Sequence, residues 1–180
     1  MRTLPRVSRL PCAATVALLA LAGPARAGVD TRLGPLVGSI VDEAGARLDG
    51  PGCAQVLVDF VDGRTGLPLA QTLAASGLSA SEHVRALTFT KSPKPPRVGP
   101  LRIYAYTHPG DTEVFIDRTD FTRIAETRRL AVAIVIHETL HTLGLANDLP
   151  SSEGITERVL ARCGGRASAF EVGRRSPSAR

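Results

Sequence analysis

The sequence predicts a single α+β domain, and three observations carry that reading. Residues 130–136 form an unbroken apolar run that continues into His137, Glu138 and His141, which marks a central, buried helix. Residues 101–107 (LRIYAYT) and 113–117 (EVFID) are two short strands, and the His108-Pro109-Gly110-Asp111 segment between them is turn chemistry. Residues 153–162, preceded by serine as an N-cap, are a last helix.

The first 27 residues of the 180 read as a secretory signal peptide. Arg2, Arg6 and Arg9 make the basic start, residues 13–22 the apolar core, and Ala25-Arg26-Ala27 the small-x-small cleavage site. The apolar run is too short to span a bilayer stably, and Pro24 with the Ala-x-Ala site favours processing over an uncleaved anchor. Cys12 precedes the apolar core without a lipobox. A secreted or periplasmic chain without stable membrane insertion is expected. The leader holds four arginines and no acid, so its removal lowers the net charge from +5 to +1. That balance gives no support for nucleic-acid binding, which needs a basic patch within the folded part.

Residues 28–163 are then long enough for one compact core and too short for two. Cys53 and Cys163 are the cysteines left. An even pair in an oxidising compartment reads as a disulfide between an early strand and the last helix, the alternative being two separate buried thiols. Neither cysteine sits in a C-x-x-C pair, which speaks against zinc ligation.

In chain order, residues 28–52 are rich in Gly, Asp and Pro and read as irregular. Residues 54–61 (AQVLVDFV) are apolar and β-branched, a strand buried on both faces, and Asp62-Gly63 and Thr65-Gly66 close it as a turn. Residues 69–78 suit either a short helix or a loop. Residues 85–90 (RALTFT) read as a strand, and the KSPKPPRVGP segment after it, with its four prolines, as a surface loop. Asp120 is the expected cap of a helix starting at Phe121, and residues 121–143 are one helix or two. From residue 164 to 180 the chain is mostly Gly, Arg, Ser and Pro, a disordered tail.

The chemistry is concentrated in residues 130–148, LAVAIVIHETLHTLGLAND. His137 and His141, four residues apart, stand one turn apart on one helix face, so both imidazoles can reach a single metal ion. Zn²⁺ suits neutral imidazole donors, and a site with few protein ligands leaves a position for water. Glu138 beside that position is the general base that takes the water's proton and passes it to a leaving amine. The competing reading is a satisfied structural histidine pair. Burying two histidines and a glutamate without partners is costly, which favours the metal.

This segment resembles the zincin metallopeptidases, and within them the metzincin-like pattern H-E-x-x-H-x-x-G-x-x-H/D, carried here by His137, Glu138, His141 and Gly144. The resemblance covers about a dozen residues. Asn147 stands at the third-ligand position with Asp148 one place later, and no Met follows for a Met-turn. The resemblance implies a small zincin-like domain, with a mixed sheet packed on a central metal-binding helix. It implies a zinc set of His137, His141 and a third ligand: Asp148 first, with Asn147, Glu153 and Glu157 as the others. It also implies that the 101–117 hairpin flanks a cleft for an extended peptide. Tyr104 and Tyr106 read as strand packing first and oxyanion donors second; His108 is a turn residue first and a ligand second.

Two functions of different class follow. One is a secreted zinc-dependent hydrolase, a metallopeptidase acting on a peptide or protein substrate. The other is a non-catalytic secreted module that keeps the fold and a structural metal. An open coordination position separates them, since structural zinc is closed by four protein ligands. Nothing in the sequence nominates a cleavage specificity or an oligomeric state.

Overall fold

The computed structural model describes residues 27–94, 103–146 and 151–164, and these form an α+β structure. Four strands, β1 (Gly28–Val29), β2 (Thr88–Lys91), β3 (Ala105–Tyr106) and β4 (Glu113–Ile116), make one mixed sheet in the order β1-β2-β4-β3. The β1–β2 and β2–β4 pairs are parallel; β3 runs antiparallel to β4, with Tyr106 opposite Phe115. Phe89, Val114 and Ile116 on the two central strands are buried. The hairpin read from residues 101–117 is present, shortened to β3 and β4, with residues 101 and 102 outside the described part.

The irregular reading of residues 28–52 is corrected by α1 (Pro35–Leu48). Its buried positions Val37, Ile40, Val41, Ala44 and Leu48 recur at helical spacing, and Pro35 occupies the first turn, where its missing N–H costs nothing. The Gly-rich composition of the stretch masked that period. The strand expected at 54–61 is also corrected. Pro51–Ala54 (α2) and Val56–Asp59 (α3) are short helical turns, burying Cys53, Val56 and Leu57. β-Branched residues were overridden by packing against the C-terminal helix, to which Cys53 is covalently tied.

Residues 69–78 resolve as a helix, α4 (Leu69–Ser76). The strand expected from residue 85 begins only at Thr88, because α5 (Ala80–Ala86) occupies the preceding turn behind a capping box of Ser79 and Glu82. α5 packs on α1, where a Cβ on Gly45 would lie 3.3 Å from the Ser81 Cα, so a small residue permits the approach.

Residues 121–143 belong to two helices, α6 (Arg118–Ala125) and α7 (Arg128–Thr142). Asp117, not Asp120, caps α6, accepting from the backbone N–H groups of Thr119 at 2.9 Å and Asp120 at 3.1 Å. α7 packs on α1, α6 and α8 (Ser152–Cys163) and reaches the sheet through β3. It is buried almost all round from Ala131 to Thr142, the signature of a central helix. Arg128 at its start pairs with Glu43 of α1. Burial raises the Glu43 carboxyl, but Arg128 and Arg47 outweigh it and hold the group below the usual carboxylate range.

α8 begins one residue earlier than expected, with Ser151 as N-cap accepting from the Gly154 N–H at 3.2 Å. Cys163 at its last position forms the disulfide with Cys53, which therefore joins α2, rather than a strand, to α8. Arg162 adds an ion pair to Asp59 at 2.9 Å. Among the described residues no helix is long and apolar enough to cross a membrane. Of the predicted leader only Ala27 is described; residues 1–26, the proline-rich segment from residue 95 and the tail from residue 165 lie outside the described residues.

Candidate metal centre

α7 presents His137 and His141 one turn apart, and their Nε2 atoms face each other at 3.0 Å. The rings are tilted by 52° with centroids 4.9 Å apart, and both residues are buried, at 3% and 4% exposure. Each outer nitrogen is held. Nδ1 of His141 lies 2.8 Å from the Leu145 carbonyl, and Nδ1 of His137 lies 2.9 Å from the Thr156 hydroxyl on α8. A carbonyl only accepts, so Nδ1 of a neutral His141 carries the ring proton and its Nε2 offers a lone pair.

Electrostatics keep this pair neutral. Burial, with the charge of His141 second, pushes His137 down to about 3. Burial lowers His141 as well, against a smaller opposing effect of the Leu145 carbonyl. Neutral imidazoles are what a divalent cation needs as ligands.

Glu138 is 6% exposed, and burial pushes its carboxyl up to about 8, although the backbone N–H of Thr107 donates to it and opposes the rise. Burying Ile136 or Leu140 beside it gains about 1.5–3 kcal/mol each. An ionised carboxylate at such a place costs several kcal/mol unless a compensating charge is near. Packing alone therefore gives no reason for a carboxylate at this position of α7.

A cavity of about 380 Å³ opens on these three residues, lined also by Ile103, Ala105, Tyr106, Thr107, His108, Ser152 and Ile155. β3 thus forms one wall and the start of α8 another. The cavity wall brings in His108 from the hairpin turn, because the Gly110 N–H of that turn donates to the His141 carbonyl at 2.9 Å. Tyr106 also lines it, but its ring stacks on Phe115 at 5.0 Å and its hydroxyl is bonded to Ser92 at 3.2 Å, in keeping with strand packing. Tyr104 packs against the core.

Asn147 and Asp148 lie outside the described residues. Glu153 and Glu157 are exposed on α8, whose cavity-facing residues are Ser152 and Ile155. Among the described residues no three His, Cys, Asp or Glu side chains converge on one point, so the described donor set is the histidine pair.

Gly144 ends α7 with φ +106°, its N–H donating to the His141 carbonyl at 2.8 Å, while the Leu145 N–H donates back to Leu140 at 3.1 Å. The reversal brings the Leu145 carbonyl over His141, and a bridge to buried Asp62 holds it there. Sequence reading identified Gly144 and the Asp62-Gly63 turn separately, with no signal that one supports the other. It missed Thr156 and Thr107 altogether. Neither carries a local pattern, since each reaches the site only through the packing of α8 or β3 on α7.

Compared with known proteins, the chain matches no family model, no curated protein and no solved structure.

Proposed function

We propose that this chain is an exported, zinc-dependent hydrolase, a small metallopeptidase in which His137 and His141 hold Zn²⁺ and Glu138 is the general base. The observation that carries the reading is the convergence of two neutral Nε2 atoms at 3.0 Å beside a buried carboxyl. The donor chemistry fits zinc: two imidazoles on one helix turn, each anchored through the other ring nitrogen, beside a cavity with room for a substrate. Asp148 is the proposed third ligand.

When bound, the ion supplies Lewis acidity toward a carbonyl and toward water. The protein side of the reaction falls to Glu138. Its carboxylate takes a proton from the attacking water and returns it to the leaving amine nitrogen as the C–N bond breaks. A cation held at the histidines would offset the desolvation that raises the Glu138 carboxyl and would favour its ionised, proton-accepting form. Among the described residues β3 is the edge strand of the sheet on the cavity side, a position that suits an extended peptide. The Cys53–Cys163 disulfide agrees with an oxidising, extracytoplasmic location.

Metal analysis of exported protein by mass spectrometry tests the reading. About one zinc per chain is expected, lost in His137→Ala and in His141→Ala. Stoichiometric zinc in the double variant overturns the assignment. Zinc closed by four protein ligands, with no cleavage in a broad peptide library, would instead establish the structural module.

A further inference from the structure

The histidine pair poses a problem of proton placement that the site alone does not solve. The two Nε2 atoms are 3.0 Å apart, and both serve a cation only if neither carries a proton. The Leu145 carbonyl settles His141, because it accepts from Nδ1 and leaves Nε2 bare. His137 depends on a hydroxyl, which can act in either sense. If that hydroxyl donates to Nδ1 of His137, the ring proton moves to Nε2 and closes a hydrogen bond onto His141. The pair is then a structural contact. If it accepts, both lone pairs point inward.

We infer that Thr156 is the positioning residue that commits His137 to metal binding. Its Oγ1 lies 3.1 Å from the Ser152 carbonyl one turn earlier on α8 and 2.9 Å from Nδ1 of His137. A threonine hydroxyl has one proton, and the Ser152 carbonyl, being unable to donate, takes it. Oγ1 then accepts from Nδ1–H and holds the Nε2 lone pair of His137 toward the ion. The helix is suited to this task. Its C-terminal end is fixed to α2 by the Cys53–Cys163 disulfide and to Asp59 by Arg162, and Ile155 and Val159 on the same helix are buried. The hydroxyl is thus carried by an anchored element and not by a loop. No other described side chain is hydrogen-bonded to His137 apart from His141.

The inference rests on the zinc reading, and the experiment separates the two. Exported, oxidised protein is titrated with zinc against a chromophoric chelator as parent, Thr156→Ser and Thr156→Val. The valine keeps the shape and removes the acceptor. Thr156→Val is expected to bind zinc about 10–100-fold more weakly, the cost typical of losing the outer partner of a histidine ligand, while Thr156→Ser stays near the parent. A second readout is hydrogen exchange at the His137 ring. In zinc-loaded, ¹⁵N-histidine-labelled parent protein, the Nδ1–H proton of His137 should be observable and slow to exchange, as a bonded N–H is. In Thr156→Val it should exchange with solvent. Zinc affinity of the valine variant within about twofold of the parent, or a rapidly exchanging Nδ1–H of His137 in the parent, overturns the role of Thr156 and leaves the zinc site intact. A parent that binds no zinc overturns both.

Discussion

The carboxylate of Asp62 lies against Gly144 so closely that a Cβ on residue 144 would stand 2.7 Å from the Asp62 Cγ. Asp62 accepts from the Arg64 N–H at 2.8 Å, and Gly63 donates to the Gly144 carbonyl at 2.9 Å, so the 62–64 turn is locked onto the end of α7. Gly144→Ala meets both this contact and a φ of +106°. It is expected to destabilise the fold by about 1–3 kcal/mol. Denaturant unfolding checks this, and a midpoint equal to the parent's would contradict the packing described.

Glu138→Gln should separate catalysis from folding. The amide keeps nearly the same shape but cannot take the water's proton, so peptidase activity is expected to fall by ~10²–10⁴-fold with zinc content unchanged. Zinc loss in this variant would make Glu138 a ligand. Full activity would assign the base elsewhere.

Reduction of the Cys53–Cys163 disulfide, or Cys53→Ser with Cys163→Ser, should lower stability substantially. The two cysteines are 110 residues apart, and the chain-entropy account gives about 4–5 kcal/mol for closing such a loop. Thermal unfolding with and without reductant measures it. An unchanged Tm would show that α8 is held by its apolar face and its ion pairs to Asp59 without need of the disulfide.

His83 on α5 is expected to contribute a distinct acid sensitivity. Its Nε2 lies 2.9 Å from the Thr142 hydroxyl, whose own proton goes to the Thr139 carbonyl at 2.7 Å, so the ring donates. Burial lowers the ring below the usual imidazole range. Between that folded value and about 6.5 the unfolded chain binds more protons, so this contribution is complete above about pH 6.5 and is lost as the pH falls. His83→Gln should flatten that part of the stability–pH profile relative to the parent. Identical slopes below pH 6.5 would remove His83 from the account.

N-terminal sequencing of exported material should return Gly28. The small residues Ala25 and Ala27 suit the processing peptidase, and Gly28 is the first residue of β1. Recovery of Arg2 or Cys12 in that material would refute processing.

The existence of α7 and its burial at the centre of the fold were legible in the sequence. An all-apolar approach, two histidines four apart and a glycine three residues on specify a buried helix with two imidazoles on one face and a sharp exit, and every one of those signals is local. The hairpin turn and the serine cap of α8 were legible for the same reason, and the pairing of Cys53 with Cys163 was legible from their even number in an expected oxidising compartment. Tertiary structure decided the rest. Residues 54–61 have strand composition, yet Val56, Leu57 and Phe60 are buried in and just after a helical turn packed against α8, because burial against a fixed partner outweighs a β propensity worth about 1 kcal/mol. Thr156, Thr107 and the Leu145 carbonyl become partners of the histidines and Glu138 only when α8, β3 and the 62–64 turn close around α7. Thr156 is 19 residues from His137 in the chain and 2.9 Å from it in space, a proximity created by helix packing and invisible to any periodicity.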